Sequence, residues 1–315
     1  MRALSRVTLL LATWLALAAG AAEQTTSLKT PTGELFGTEL LPAAAMGPVP
    51  VVLIHPGSGP TDRDGNSKLI PGANHSLKYL AEGLAAQGVA SVRIDKRGIG
   101  QSAPAMTSES TMRFENYVDD AAAWITKLKA DARFSKVIVA GHSEGSLIGM
   151  LAAAKANAEG LVSIAGVGRP ADDVLREQLR PKLPPTMFDQ NERVLLALKQ
   201  GKTTEDVPLP LQSLYRPSVQ PYLISWFRHD PAKALAAYKG RVLIVQGTTD
   251  IQVTVDDAKK LAAARPDAKL LVVPGMNHVL KRVGTDTAEQ LASYGDPKRP
   301  VPAEVIEAVA RFAKE

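Results

Sequence analysis

The sequence predicts an α/β protein built on a mainly parallel, twisted sheet with helices on both faces. Apolar runs of strand length alternate with helical stretches along most of the 315 residues, which is typical of βαβ units. These runs are continuously apolar, as expected of strands that are covered on both faces. The alternation breaks once, at residues 169–239, where prolines separate short amphipathic stretches.

Each element of the sheet domain can be placed from its local pattern. Two extended runs in residues 27–41 flank the turn Pro31-Thr32-Gly33, which indicates a hairpin at the antiparallel edge of the sheet. The remaining expected elements are strand 49–55, helix 75–87, strand 89–95, helix 114–130, strand 136–142, helix 144–156, strand 160–166, strand 241–247, helix 254–264, strand 269–273 and helix 301–313.

The first 22 residues have the pattern of a cleavable secretory signal peptide. Arg2 and Arg6 precede an apolar stretch at residues 7–19, and small residues follow at 18–22. The apolar stretch is shorter than the ~20 residues that span a bilayer. We therefore expect a periplasmic or secreted protein with no stable membrane span after signal removal; the alternative is an uncleaved anchor. With no cysteine in the chain, disulfides are excluded.

The predicted domain organisation has three parts. Residues 1–22 form the signal peptide, residues 23–168 and 240–315 form the core domain, and residues 169–239 form a helical cap, or lid, inserted into it. A connection of this length without structure would be unusual in a compact domain. Loops at the carboxyl edge of a parallel sheet surround binding sites, so we expect the cap to cover the site there.

Composition and motifs exclude several classes of partner and cofactor. The net charge of +5 is modest and no block of Lys and Arg occurs, so we expect no nucleic-acid partner. The chain lacks an H-E-x-x-H segment, a Cys/His cluster, a phosphate-binding G-x-x-x-x-G-K loop and the third glycine of a dinucleotide fingerprint. We therefore predict no metal and no cofactor.

The segment GHSEG at residues 141–145 is the most informative motif. It follows an apolar β-branched run and precedes a helical stretch, which is the context of a nucleophile elbow with the pattern G-x-S-x-G. Ser143 is the predicted nucleophile, and the backbone N–H of Glu144 is a predicted oxyanion donor. The Glu144 side chain is expected to have no role. The alternative is a glycine-rich turn in which Ser143 only caps the helix.

A general base and its acidic partner follow in the chain. Asp250 comes after the apolar strand 241–247, and His278 comes after strand 269–273. His278 is the predicted base and Asp250 the residue that orients its ring. Asp256 and Asp257 are rival acids, but they fall at the start of a predicted helix and are expected to serve its first turn.

The order Ser, Asp, His resembles that of the α/β-hydrolase superfamily, and two loops resemble its bacterial exported esterase and serine aminopeptidase-like subgroup. These loops read HPGSGPTDRDGN at residues 55–66 and RIDKRGIGQS at residues 93–102. The resemblance implies an α/β-hydrolase fold and a second oxyanion N–H from the first loop. Ser58 is the preferred donor, and Gly57 and Gly59 remain alternatives because Pro56 replaces the glycine that many members carry. His55 is expected to brace this loop.

The predicted function is hydrolysis of carboxylic esters or thioesters of small to medium acyl substrates. The ligand is thus a small-molecule acyl ester or amide; the sequence does not give the oligomeric state. One alternative is a serine peptidase of the same fold, and another is a non-catalytic binding protein. The acyl pocket is expected to use some of the apolar cap residues Phe188, Leu214, Tyr215, Trp226 and Phe227. The sequence identifies no partner for His75 or His229, and surface or helix-end positions are the default for them.

Overall fold

The structure is a computed structural model that describes residues 22–43 and 45–315. The predicted signal peptide, apart from Ala22, lies outside the described residues. Eight strands form one sheet: β1 (Glu23–Thr30), β2 (Gly33–Leu40), β3 (Val49–His55), β4 (Ala90–Ile94), β5 (Phe134–His142), β6 (Gly160–Ile164), β7 (Arg241–Gly247) and β8 (Lys269–Val273).

The order of the strands across the sheet is β1-β2-β4-β3-β5-β6-β7-β8. β1 pairs antiparallel with β2, and β2 pairs antiparallel with β4. The pairings from β4 through β8 are all parallel. The predicted hairpin at the antiparallel edge is confirmed, although its first strand begins earlier than expected, at Glu23.

Eleven α-helices lie in the described residues: α1 (Ser76–Ala86), α2 (Phe114–Lys129), α3 (Glu144–Ala156), α4 (Ala171–Leu179), α5 (Pro185–Lys199), α6 (Gln212–Tyr215), α7 (Gln220–Trp226), α8 (Pro231–Ala237), α9 (Val255–Ala264), α10 (Thr287–Ser293) and α11 (Ala303–Lys314). The strands predicted from residue 49 onward and the core helices are confirmed with small shifts at their ends. The short helix α10 was not predicted.

Helices cover both faces of the sheet, which explains the continuous apolar strands. In β3, Val51 and Leu53 face one apolar cluster, which α2, α3, α8 and α9 complete. Val52 and Ile54 face the other cluster, which α1 and α11 complete. Alternate residues of one strand thus enter opposite cores, so neither face can be polar. The predicted α/β class is confirmed.

The chain between β6 and β7 forms helices α4 to α8. Most of it packs around its own apolar cluster, in which Tyr215 and Phe227 are buried. Trp226 links this cluster to the sheet domain, because its ring stacks on Phe114 with centroids 5.9 Å apart. Leu235 of α8 belongs instead to the core of the sheet. None of the helices formed by residues 22–43 and 45–315 has the length and apolar character that a membrane span requires.

Candidate active site

Ser143 lies in the tight turn between β5 and α3. Its φ of 56° and ψ of −123° are a strained conformation for a residue with a side chain. The flanking glycines permit the turn: a Cβ on Gly141 would lie 2.1 Å from the carbonyl oxygen of Gly145, and one on Gly145 would lie 2.5 Å from that of Pro56. The structure therefore contains the tight turn that the G-x-S-x-G motif predicts.

His278 and Asp250 are brought together from the loops after β8 and β7. The distance from His278 Nδ1 to Asp250 Oδ2 is 2.9 Å, and the Asp250 side chain is fully buried. The backbone N–H groups of Gln252 and Val253 donate to Asp250 Oδ1. Because the carboxylate accepts, Nδ1 carries the proton and Nε2 is left as the basic nitrogen of the ring.

The Asp250 carboxylate is held in its charged form. Burial by itself would raise its pKa, but the neighbouring His278 and the hydrogen bonds to the carboxylate outweigh burial and lower the pKa of Asp250. A buried carboxylate that stays ionised can stabilise a positive charge on the adjacent imidazole.

The serine turn and the histidine loop are neighbours. His142 Nε2 lies 2.7 Å from the carbonyl oxygen of His278, and the two rings are 4.9 Å apart. Among the described residues, the Ser143 hydroxyl makes no direct hydrogen bond to His278. Catalytic hydrogen bonds are often long in free enzymes and tighten when substrate binds.

The loop after β3 adjoins the nucleophile turn from the other side. A Cβ on Gly57 would lie 3.1 Å from Ser143 Cβ, so Gly57 leaves room for the serine. His55 is buried, and its Nδ1 donates to the carbonyl oxygen of Pro56 at 3.0 Å, which is the bracing predicted for it. Burial, and then the charge of Lys96, lower the pKa of His55 to about 3, so the ring is neutral.

The Glu144 side chain, which was expected to be incidental, is buried with two partners. Glu144 is 4% exposed, and its carboxylate binds Lys96 Nζ at 3.6 Å and accepts from the Tyr222 hydroxyl at 2.6 Å. The G-x-S-x-G motif predicts a role for the backbone N–H of Glu144 but carries no information about its side chain. Lys96 and Tyr222 were not predicted as site residues, since each lies far from the serine motif in the chain.

Other charged residues of the motifs have structural partners. Asp257 caps α9 and binds Arg169 Nε at 2.8 Å, so it serves the helix as predicted. Asp95 pairs with Arg63 at 2.6 Å. Partners that the sequence did not identify are present for both remaining histidines: His229 Nε2 lies 3.0 Å from Glu115, and His75 Nδ1 lies 3.3 Å from Asn66 Nδ2.

The chain resembles known hydrolases in sequence and in fold. The profile of the family "Serine aminopeptidase, S33" matches residues 71–282, which include Ser143, Asp250 and His278. Esterase EstD of Thermotoga maritima is 28% identical over 271 residues. That match covers 84% of this chain and 62% of EstD, so the chain spans less than two thirds of that relative.

Solved structures of esterases share the fold. Est1E from Butyrivibrio proteoclasticus with bound ferulic acid superposes with a TM-score of 0.61 at 20% identity, over 91% of this chain and 97% of that one. Esterase Pf2001 from Pyrococcus furiosus superposes with a TM-score of 0.57 at 16% identity, over 97% and 96%. With two thirds of its length matched by the family profile, this chain belongs to the serine aminopeptidase S33 family of α/β-hydrolases.

Proposed function

We propose that this protein is an exported carboxylesterase that hydrolyses carboxylic esters or thioesters with small to medium acyl groups. One observation carries the proposal. A strained serine at a strand–helix turn adjoins a loop whose histidine is hydrogen-bonded, at 2.9 Å, to a buried carboxylate. A histidine oriented in this way can act as the base that a serine hydroxyl, a weak nucleophile by itself, requires.

In the proposed mechanism, His278 Nε2 takes the proton of the Ser143 hydroxyl as its oxygen attacks the ester carbonyl. The tetrahedral oxyanion accepts hydrogen bonds from the backbone N–H groups of Glu144 and Ser58. His278 then protonates the leaving alcohol or thiol, and the acyl group remains on Ser143. A water molecule activated by the same ring hydrolyses the acyl-enzyme, while Asp250 stabilises the imidazolium in both steps.

Esters are favoured over peptides by the charges of the helices α4 to α8. An aminopeptidase needs a carboxylate to bind the free amine of its substrate. The eight acidic side chains of this segment include four that are paired with basic ones: Asp172 with Lys199, Asp173 and Glu192 with Arg176, and Glu177 with Arg169. The relatives EstD and Est1E are esterases by name. A peptidase remains the second candidate because the family description names aminopeptidases.

A side-by-side assay separates these two activities. The full chain is expressed and the purified protein is tested on p-nitrophenyl acetate, butyrate and octanoate and on aminoacyl p-nitroanilides. We expect ester hydrolysis and covalent labelling by a fluorophosphonate probe, with anilide hydrolysis far slower. Faster anilide cleavage would make the protein a peptidase, and absence of both activities and of labelling would leave only a binding role.

We further propose that residues 169–239 act as the cap of this site and that the protein is exported by its N-terminal segment. Cap function is supported by the position of α4 to α7, which follow β6 at the carboxyl edge of the parallel strands. Export is supported by the signal-peptide pattern of residues 1–22. Mass spectrometry of the protein from cell fractions tests export, with cleavage after Ala21 or Ala22 expected.

A further inference from the structure

A buried ammonium group lies beneath the loop that follows β3. The Lys96 side chain is 1% exposed. Its Nζ donates to the carbonyl oxygen of Gly57 and, at 3.1 Å, to that of Gly59, and it lies 3.6 Å from Glu144 Oε2. The two carbonyl oxygens thus accept hydrogen bonds from the ammonium group, and the Glu144 carboxylate is its charged partner. Since a buried charge must be paired, these contacts hold Lys96 between the loop and Glu144.

Because the peptide bond is planar, the contact of Lys96 with the carbonyl oxygen of Gly57 constrains the N–H of Ser58, the predicted oxyanion donor. In a trans peptide the C=O and the N–H point in opposite directions. Lys96 holds the carbonyl of Gly57, so the N–H of Ser58 in the same peptide points away from Lys96. The peptide that follows Gly59 offers no donor, because its nitrogen belongs to Pro60. The contact to Gly57 is therefore the one that orients a donor.

Glu144 holds Lys96 from the nucleophile side. Glu144 is the first residue of α3, and its backbone N–H is the other predicted oxyanion donor. Its carboxylate is the charged partner of Lys96. The Tyr222 hydroxyl of α7 donates to the same carboxylate at 2.6 Å. Burial raises the pKa of Tyr222 well above its usual value, and Glu144 adds to this effect. The phenol is thus neutral and remains a donor.

We propose that Lys96 is a positioning residue that fixes the Gly57–Ser58 peptide with its N–H directed to the oxyanion, and that Glu144 and Tyr222 hold Lys96 in place. The contact of α7 with the sheet domain is thereby coupled to the geometry of the oxyanion site. This inference rests on the proposed hydrolase function, since it assigns a role within that site.

Lys96→Met tests the proposal, with Lys155→Met as the matched control. Lys155 is an exposed lysine paired with Asp119 at 2.7 Å, remote in the fold from the serine turn. Loss of one oxyanion donor lowers kcat by about 10²–10³-fold, so misorientation of one donor should lower kcat by about 10–100-fold. We expect KM to change little, and the rate of Ser143 phosphonylation by a fluorophosphonate to fall in parallel with kcat. The control should match the wild type in all three.

The double variant Lys96→Met/Glu144→Gln separates positioning from stability. A purely structural ion pair predicts that removing both charges restores the melting temperature and kcat together, because no unpaired charge remains. The proposal predicts that the melting temperature recovers while kcat and the phosphonylation rate stay low. Recovery of kcat in the double variant, or an unchanged kcat in Lys96→Met, overturns the inference.

Tyr222→Phe supplies a milder test that does not remove a charge. We expect a lower phosphonylation rate with KM nearly unchanged. If neither Lys96 variant folds, an unaltered phosphonylation rate in Tyr222→Phe overturns the proposal. Its failure is distinguishable from failure of the proposed function. A wild-type protein that neither hydrolyses esters nor reacts with the fluorophosphonate contradicts both, whereas a reactive wild type with equally reactive variants contradicts this inference alone.

Discussion

His142 donates a hydrogen bond from its ring Nε2 to the backbone carbonyl oxygen of His278, at 2.7 Å. The residue before the candidate nucleophile therefore ties the serine turn to the loop of the candidate base. Because the carbonyl can only accept, Nε2 of His142 carries the proton. Its Nδ1 is buried with no hydrogen-bond partner among the described residues, so the ring is held neutral.

The buried rings of His142 and His55 predict that the folded protein loses stability in mild acid. Burial, and then the nearby His278, lower the pKa of His142 to about 4, and burial lowers that of His55 to about 3. An unfolded histidine has a pKa of about 6.5, so between pH 6.5 and 5 the unfolded chain binds more protons. Above that range the free energy of unfolding has its full value. As the pH falls below 6.5, it decreases by roughly 1.4 kcal/mol per pH unit for each ring.

Urea unfolding of wild type and His142→Gln at several pH values measures this effect. Glutamine does not titrate and retains an N–H donor, so the variant should lose about half of the histidine-dependent slope. The free energy of unfolding, extrapolated to water, is the quantity to compare. A variant with the same slope as the wild type would show that His142 is protonated in the folded protein.

Ser143→Ala should abolish ester hydrolysis and fluorophosphonate labelling while the fold is retained. Loss of the nucleophile in a serine triad costs about 10⁶ in kcat. Ser146→Ala is the matched control, since Ser146 lies in the first turn of the helix that follows Ser143, but its hydroxyl is hydrogen-bonded to that of Ser163 at 2.6 Å. We expect the control to keep its activity and to lose about 1 kcal/mol of stability. Retention of a tenth of the activity in Ser143→Ala would remove Ser143 from the mechanism.

Asp250→Asn and Asp257→Asn should have opposite effects. The first should lower kcat by about 10⁴ with little change in KM, because the ring of His278 loses its fixed tautomer. The second breaks the bonds of Asp257 to Arg169 and to the start of α9, and should cost about 1–3 kcal/mol of stability with kcat preserved. Steady-state kinetics and thermal melts distinguish them; a larger loss of kcat in Asp257→Asn would contradict the assignment.

Apolar residues of the helical segment should divide into two groups. Tyr215 and Phe227 are buried in its own cluster, so alanine there should cost about 3 kcal/mol and slow all esters alike. Trp226 is half-buried and its ring lies 6.1 Å from that of Tyr222, whose hydroxyl binds the residue after Ser143, so Trp226→Ala should alter the relative kcat/KM of butyrate and octanoate esters. If no substitution among Phe188, Leu214, Tyr215, Trp226 and Phe227 changes that ratio, the segment does not set specificity.

Local sequence predicted most of the sheet domain because its signals are local. Continuous apolar runs identify strands that are covered on both faces, as Val51 to Ile54 show. The glycines around Ser143 identify a turn that other residues would obstruct. Helix α10 escaped prediction because it is short and its Leu291 is exposed, at 62%, so no strong apolar periodicity marks it.

The sequence by itself determined the α/β class and the elbow at Ser143, since their signals are patterns of neighbouring residues, and the order of Asp250 and His278 is read from it directly. Only the tertiary structure decided which side chains meet around that elbow. Lys96, Glu144 and Tyr222 come from separate elements, and no local pattern records a contact between distant segments. Because both charged groups are buried, this contact is needed: a charge removed from water must be paired, and the fold alone determines its partner.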